Sequence, residues 1–336
     1  MSAYDMHIGK LISGRRDLEG SGLYILCAPD KTIVELDSIQ TNDVILVSSK
    51  NLEDALYEFC QSAMDNYVSE GNNQDIYAFS IYTDTYHGSY VIYINNLEGL
   101  DQSVEHALEY ERKRHPERGD DRIREQLYYE LKYAEADYPF MYETMPERLG
   151  TWLGMYACIM LEEPGYLDIE QRYLFEKELF DSQLFLIAID VIHRLRHDFE
   201  RLRRTDDFIA YVSAADGVGG DSLTTSQLLR RCVSEELLYK AMPDVKEKDE
   251  AFRAAINAVQ QKPLREQVMH WVTVIEQGEF SKGSPYSFWK TDYEAYEQLI
   301  ELGETAVPYI REHLNNKLNE DTRLILETVL RDLGQL

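Results

Sequence analysis

The sequence predicts an α+β fold: a mixed, largely antiparallel sheet with packed helices, followed by an α-helical C-terminal region. Three features predict it. Short apolar, β-branched runs broken by turn residues fill much of the first hundred positions. Helical spacing dominates from Val104, and after one late strand pattern, Asp207–Ala214, only helical sequence follows. The expected division is a mixed α/β domain over residues 1–240, with 165 as the alternative boundary, and a helical region over 241–336.

In chain order, GLYILCA (22–28), TIVELDS (32–38) and DVILVSS (43–49) read as strands, separated by Pro29–Asp30 and Thr41–Asn42–Asp43. A helix follows over Asn51–Val68, because Leu52, Ala55, Leu56, Phe59, Ala63 and Tyr67 recur at helical spacing and Glu53 and Asp54 suit its positive end. Ile76–Asp84 and Ser89–Asn96 form the expected β-hairpin, with Gly88 supplying a positive φ in its loop. Tyr77, Phe79 and Ile81 alternate onto one face, matched by Tyr90, Ile92 and Ile94. Tyrosines on both faces predict a sheet packed on helices on one side and partly open on the other. A charged helix from Val104 stops at His115–Pro116, a second runs from Asp120 toward Pro139, and a buried one lies between Pro146 and Pro164.

One long amphipathic helix is expected over Ile169–Arg204, with Leu184, Ile187, Val191, Leu195 and Leu202 as its core stripe. If the Asp207–Ala214 strand returns to the N-terminal sheet, the α/β domain extends to about residue 240. A loop, DGVGGD (216–221), leads to a helix starting at Thr224 or Thr225, and Gly, Ser and Pro mark a linker at 277–287.

Asp and Glu number 61 against 34 Lys and Arg, with a net charge of -27. Such a field repels nucleic acid and anionic lipid and attracts a basic partner. The Arg194–Arg204 run lacks the wider positive field that nucleic-acid binding requires, and is better suited to pairing with the chain's own carboxylates or an acidic surface. No apolar run is long enough for a membrane span, and no secretory signal is read at the N-terminus. The four cysteines are far apart, and Cys27, Cys60 and Cys158 sit in apolar surroundings, which predicts buried free thiols in a cytoplasmic protein.

GxGxxG, P-loop, HExxH and GxSxG patterns are absent, and nothing calls for a cofactor. The DGVGGD loop ends in Asp–Ser where a P-loop needs Lys–Ser/Thr, so a plain turn is expected. Asp190, His193 and His197 would share one face of the long helix and are the candidate metal ligands, weighed against a plain polar face. Near the hairpin turn, Tyr82, Asp84, Tyr86 and Tyr90 are contact candidates, because tyrosine offers rigid contact area at low entropic cost. Arg194 and Arg201 join them as bidentate hydrogen-bond donors.

The stretch YEAYEQLIELGETAVPYIREHLNN, continuing into LNEDTRLILETVLRDLG, resembles a HEAT-type helical repeat over 286–336. Tyr296, Leu299 and Ile300 line its first helix, Gly303 permits the corner, and Ala306, Val307, Ile310 and Leu314 line the next. Pro308 falls in a first turn where its missing N–H costs nothing. One repeat cannot make a solenoid, so the resemblance implies that the helices after Glu247 stack on it or that it caps the rest.

DIYAFSIYTD (75–84), NNLEGL (95–100) and LKYAEADYPF (131–140), with the helix before Gln74, resemble a bacterial domain family of unknown function found near toxin and immunity genes. That resemblance spans about 52–140, with an extension to 240 as the alternative, and brings no catalytic residues. It implies a cytoplasmic bacterial protein, with immunity against a basic toxin as one role. The expected function is therefore non-enzymatic protein–protein interaction. A hydrolase or metal- or ligand-binding enzyme, and a structural module or homodimeric scaffold, are the alternatives.

Overall fold

Strands form where the β-branched runs predict them, but they divide between two sheets. The computed structural model describes residues 24–28, 32–36, 44–84, 87–114, 120–161, 171–176, 179, 183–214, 225–277 and 291–335. The described residues separate into two compact units, one within Leu18–Ala241 and one within Met242–Leu336. The 216–221 loop and most of the 277–287 linker lie outside the described residues.

The first unit opens with β1 (Tyr24–Cys27), β2 (Ile33–Leu36) and β3 (Val44–Val47), then helix α1 (Ser49–Ser69). The hairpin of β4 (Ile76–Asp84) and β5 (Ser89–Asn96) leads into α2 (Leu97–Arg114) and α3 (Asp120–Leu131). Next come β6 (Met141–Tyr142), α4 (Glu147–Met160), β7 (Arg172–Glu176), α5 (Gln183–Arg194) and β8 (Arg204–Ala214), with α6 (Thr225–Cys232) and α7 (Glu235–Ala241) closing the unit.

The first sheet has the order β2-β1-β7-β3, antiparallel except for the parallel β3–β7 pair. The second is β6-β5-β4-β8, antiparallel except for β4–β8. Most strand pairs are thus antiparallel, as the sequence predicts, and β8 pairs with β4 of the hairpin.

The expected 36-residue helix over 169–204 does not form. Leu174 and Phe175 are adjacent and both fully buried. Period-two burial on opposite faces is what an interior strand needs, and β7 sits between β1 and β3. Helix α5 then ends at Arg194, and a short 3₁₀ turn at Asp198–Arg201 carries Phe199 inward, edge-on to Phe79 at 5.0 Å and Phe208 at 5.5 Å. Leu184, Ile187, Val191 and Leu195 are buried as predicted, while Leu202 is buried from a different element.

Helix α1 starts from a capping box in which Ser48 and Asn51 exchange side-chain-to-backbone bonds. The Glu176 carboxylate of β7 accepts from the Ser49 N–H at 2.9 Å, so an anion also sits at the helix's positive end. Leu52, Leu56, Phe59, Cys60, Ala63 and Met64 form its buried stripe, and α1 packs against α5. Cys60 and Cys158 are buried free thiols and Cys232 is partly buried.

The second unit contains α8 (Pro243–Gln260), α9 (Leu264–Gln277), α10 (Thr291–Glu301), α11 (Val307–Leu314) and α12 (Glu320–Asp332). Its core joins Val268, Trp271 and Ile275 to Tyr296, Leu299, Ile310, Leu326 and Val329. Gly303 adopts φ 65 at the corner, and Pro308 lies in the first turn of α11, both as expected. No helix among the described residues is long and apolar enough to cross a membrane.

Candidate functional site

The hairpin register puts Phe79 opposite Ile94, Ile81 opposite Ile92 and Thr83 opposite Tyr90. All six are fully buried, making this the core face of the second sheet. Tyr90 is thus a core residue rather than a contact residue. Its hydroxyl donates to the Leu184 carbonyl at 2.9 Å, tying the hairpin to α5.

Tyr77 does not share that face. The pairing shifts between Ile76 and Ala78, a bulge that turns Tyr77 over to the opposite side, where its hydroxyl accepts from Asn95 at 2.9 Å. There it joins a run of edge-to-face rings, Tyr133–Tyr77–Tyr138–Tyr93–Tyr82, with centroids 5.7, 6.0, 6.3 and 6.2 Å apart. Each such contact contributes about 0.5–1.5 kcal/mol beyond area burial.

One end of the run is closed. The Lys132 ammonium bonds Asp207 at 2.7 Å and lies over the rings of Tyr77 and Tyr133, at 5.6 and 5.4 Å. Burial would raise the Asp207 carboxyl, but hydrogen bonds from Lys132 and Thr205 outweigh it and hold the group below the usual carboxylate range. Tyr138 donates to the Lys132 carbonyl at 2.9 Å, and Tyr211 donates to Glu135 at 3.3 Å. Burial pushes the phenols of Tyr77, Tyr133, Tyr138 and Tyr211 upward, so they stay protonated at neutral pH. Tyr138 and Tyr211 use theirs as hydrogen-bond donors, and a protonated phenol does not abstract protons.

The other end is open. Tyr82, Val91 and Tyr93 are partly exposed, and Met141, opposite Tyr93 on β6, is 47% exposed. Burial, then the charges of Glu135 and Glu143, raise the Tyr93 phenol. This apolar and aromatic surface lies in a unit that holds 42 acidic and 20 basic side chains. Tyr93, Met141 and Glu143 were not among the residues the sequence singles out. The signal for Tyr93 was present, since it alternates with Ile92 and Ile94 onto the tyrosine-bearing face.

Asp84 accepts the His87 backbone N–H at 2.9 Å and pairs with its ring nitrogen at 2.7 Å, closing the hairpin turn. Tyr86 lies outside the described residues. Arg194 bonds Asp54 at 2.6 Å and Glu53 at 3.1 Å and stacks on Tyr57 at 3.9 Å, while Arg201 bonds Asp65 at 2.6 Å. Both arginines thus hold carboxylates of α1. Arg194 pulls the Asp54 carboxyl below its ordinary value.

The proposed metal ligands do not share a helical face, because α5 ends before His197. His197 is 94% exposed and approaches Glu200 at 3.4 Å. The His193 ring contacts Arg196 at 2.8 Å, and burial, with that cation, lowers its pKa. Asp190 is exposed. Among the described residues no group of three or more His, Cys, Asp and Glu is arranged to hold a metal ion.

No protein-family model, curated protein or solved structure matches the chain.

Proposed function

We propose that this chain is a non-enzymatic protein-binding protein whose contact surface is the open end of the tyrosine face. Its partner is a basic protein, and the resemblance of residues 52–140 makes a bacterial toxin neutralised by a cytoplasmic immunity protein the favoured case. The observation that carries the reading is the partly exposed patch of Tyr82, Tyr93 and Met141 in a strongly acidic unit. Aromatic residues and Met are enriched in the cores of protein interfaces. The surrounding negative field would speed encounter with a basic surface and make it salt-dependent. The HEAT-like helical unit serves as a support or second contact.

The test is affinity capture on the purified full chain, with Met141→Lys as control. A stoichiometric basic protein should be retained, released by salt, and lost on the variant. Equal retention by both proteins would overturn the choice of surface, and retention of no basic protein would overturn the reading itself.

A further inference from the structure

This chain holds two of its own cations in one manner. The Lys132 ammonium lies over Tyr77 and Tyr133 with the Asp207 carboxylate at 2.7 Å. The Arg194 guanidinium lies 3.9 Å over Tyr57, bonded to Asp54 and Glu53. A tyrosine ring backed by a carboxylate is thus the environment this protein builds for a positive side chain, and the two attractions reinforce each other.

The partly exposed end of the tyrosine face offers the same kinds of side chain. The Tyr93 ring stands between Tyr82 and Tyr138, held edge-on by both. Met141 lies opposite it in the β5–β6 register. Glu143 follows Met141 by two residues, and its side chain is exposed. Among the described residues no lysine or arginine stands over Tyr93. We propose that Tyr93, Met141 and Glu143 form the docking point for one cationic side chain, arginine or lysine, of the partner protein. The thioether and ring cover the aliphatic stem, and the carboxylate pairs with the charged head. This assignment rests on the protein-binding reading above and adds the chemistry of its central contact.

Methyl-labelled methionine in the full chain gives a local test by NMR. The probes are capped Gly-Gly-Arg-Gly-Gly, its lysine counterpart, and a citrulline counterpart that keeps the shape without the charge. The Met141 methyl, assigned with Met141→Leu, should shift saturably with the two cationic peptides and little with citrulline. Met269, 51% exposed in the other unit, should stay still. Glu143→Gln should weaken binding about threefold, as expected for an exposed pair. Tyr93→Leu should remove binding and Tyr93→Phe retain it. Because Glu143 is exposed, its variant keeps the test valid even if Tyr93→Leu fails to fold.

Equal shifts at Met141 and Met269, an equal response to citrulline, or unchanged affinity in Glu143→Gln would each overturn the assignment. A captured basic partner that Glu143→Gln and Tyr93→Leu hold undiminished would overturn it while leaving the protein-binding reading intact. An arginine-specific shift at Met141 with no partner captured would sustain the site and remove that reading.

Discussion

Gly88 shows how far a single residue can commit the hairpin. Its φ is 61, and a Cβ there would meet the Leu153 carbonyl oxygen of α4 at 2.4 Å. Gly71 also has positive φ, 90, but open space around it. Gly71→Ala should therefore cost about 1 kcal/mol, the conformational share alone. Gly88→Ala should cost about 2–4 kcal/mol, because backbone must also move. Urea midpoints of the two variants separate the contributions, and equal losses would show that the approach to α4 carries no energy. The positive φ of Gly88 was legible from its place in a hairpin loop. The carbonyl pressed against it was not, since α4 lies some sixty residues away and no local pattern encodes that distance. Tyr90 is a similar case. Its alternation with Ile92 and Ile94 gave the correct face, but its hydroxyl suggested a surface role until the Leu184 carbonyl appeared as its acceptor. Tyr90→Phe should cost about 0.5–1.5 kcal/mol by removing this tie, the carbonyl keeping its helical partner in α5, and no measurable loss would mean that the bond carries no net energy.

Between elements, the turn after α5 is fastened to α1 by side chains one helical turn apart. Arg194 reaches Glu53 and Asp54, Asp198 accepts from Tyr57 and Gln61 at 2.8 and 2.9 Å, and Arg201 reaches Asp65. The exposed ion pairs contribute little singly. The partly buried Asp198 bonds should matter more, so Asp198→Ala should cost about 1–2 kcal/mol by leaving two donors short. A double-mutant cycle with Tyr57→Phe that shows no coupling would sink this account. The arginine run was legible as a match for the chain's own carboxylates, but its break after Arg194 into a turn and a 3₁₀ segment was not. Hydrophobic spacing over 169–204 fits a helix, and only the neighbours of β7 decide that Leu174 and Phe175 are buried on opposite faces. The bulge at Tyr77 was equally hidden, because it depends on pairing with β5 and β8. The tyrosine layer it creates yields a pH prediction. Phenols at Tyr77, Tyr138 and Tyr211 have folded-state pKa values above their ordinary 10.0, so the stability they confer is complete below that pH and lost as pH rises past it. Phenolate absorbance should lag behind that of free tyrosine and then rise together with loss of far-ultraviolet circular dichroism. A smooth titration with structure retained would contradict the closed layer.

At the scale of the whole molecule, the two units draw on different resources. The first holds 42 acidic against 20 basic side chains and the tyrosine face, while the second carries 17 against 11 and an aliphatic core around one buried tryptophan. Among the described residues, the buried part of that core comes from residues 259–330: Val259, Val268, Trp271, Val272, Val274 and Ile275 from α8 and α9, and Ala295, Tyr296 and Leu299 from α10. Ala306, Val307, Ile310, Leu326, Val329 and Leu330 complete it. Burying each large side chain contributes about 1.5–3 kcal/mol, set against about 1–2 kcal/mol of backbone entropy per residue ordered. Short helix pairs reach a positive balance only when their stripes meet, and here α9 packs on α10 and α11 while α12 packs on α10 and α11. The Tyr296 hydroxyl donates to Asp332, joining α10 to the end of α12, and Asn319 caps α12 through the Thr322 N–H at 2.6 Å. Residues 242–336 produced alone should therefore fold, with a cooperative thermal transition in far-ultraviolet circular dichroism. Trp271 in that fragment should give an ordered near-ultraviolet band that disappears at the same temperature. Trp271→Ala should abolish the cooperative transition, since truncating a core tryptophan costs about 3–5 kcal/mol and a domain of this size has little more to lose. A helical fragment that melts gradually, with no near-ultraviolet band, would mean that these helices depend on the rest of the chain for a unique core.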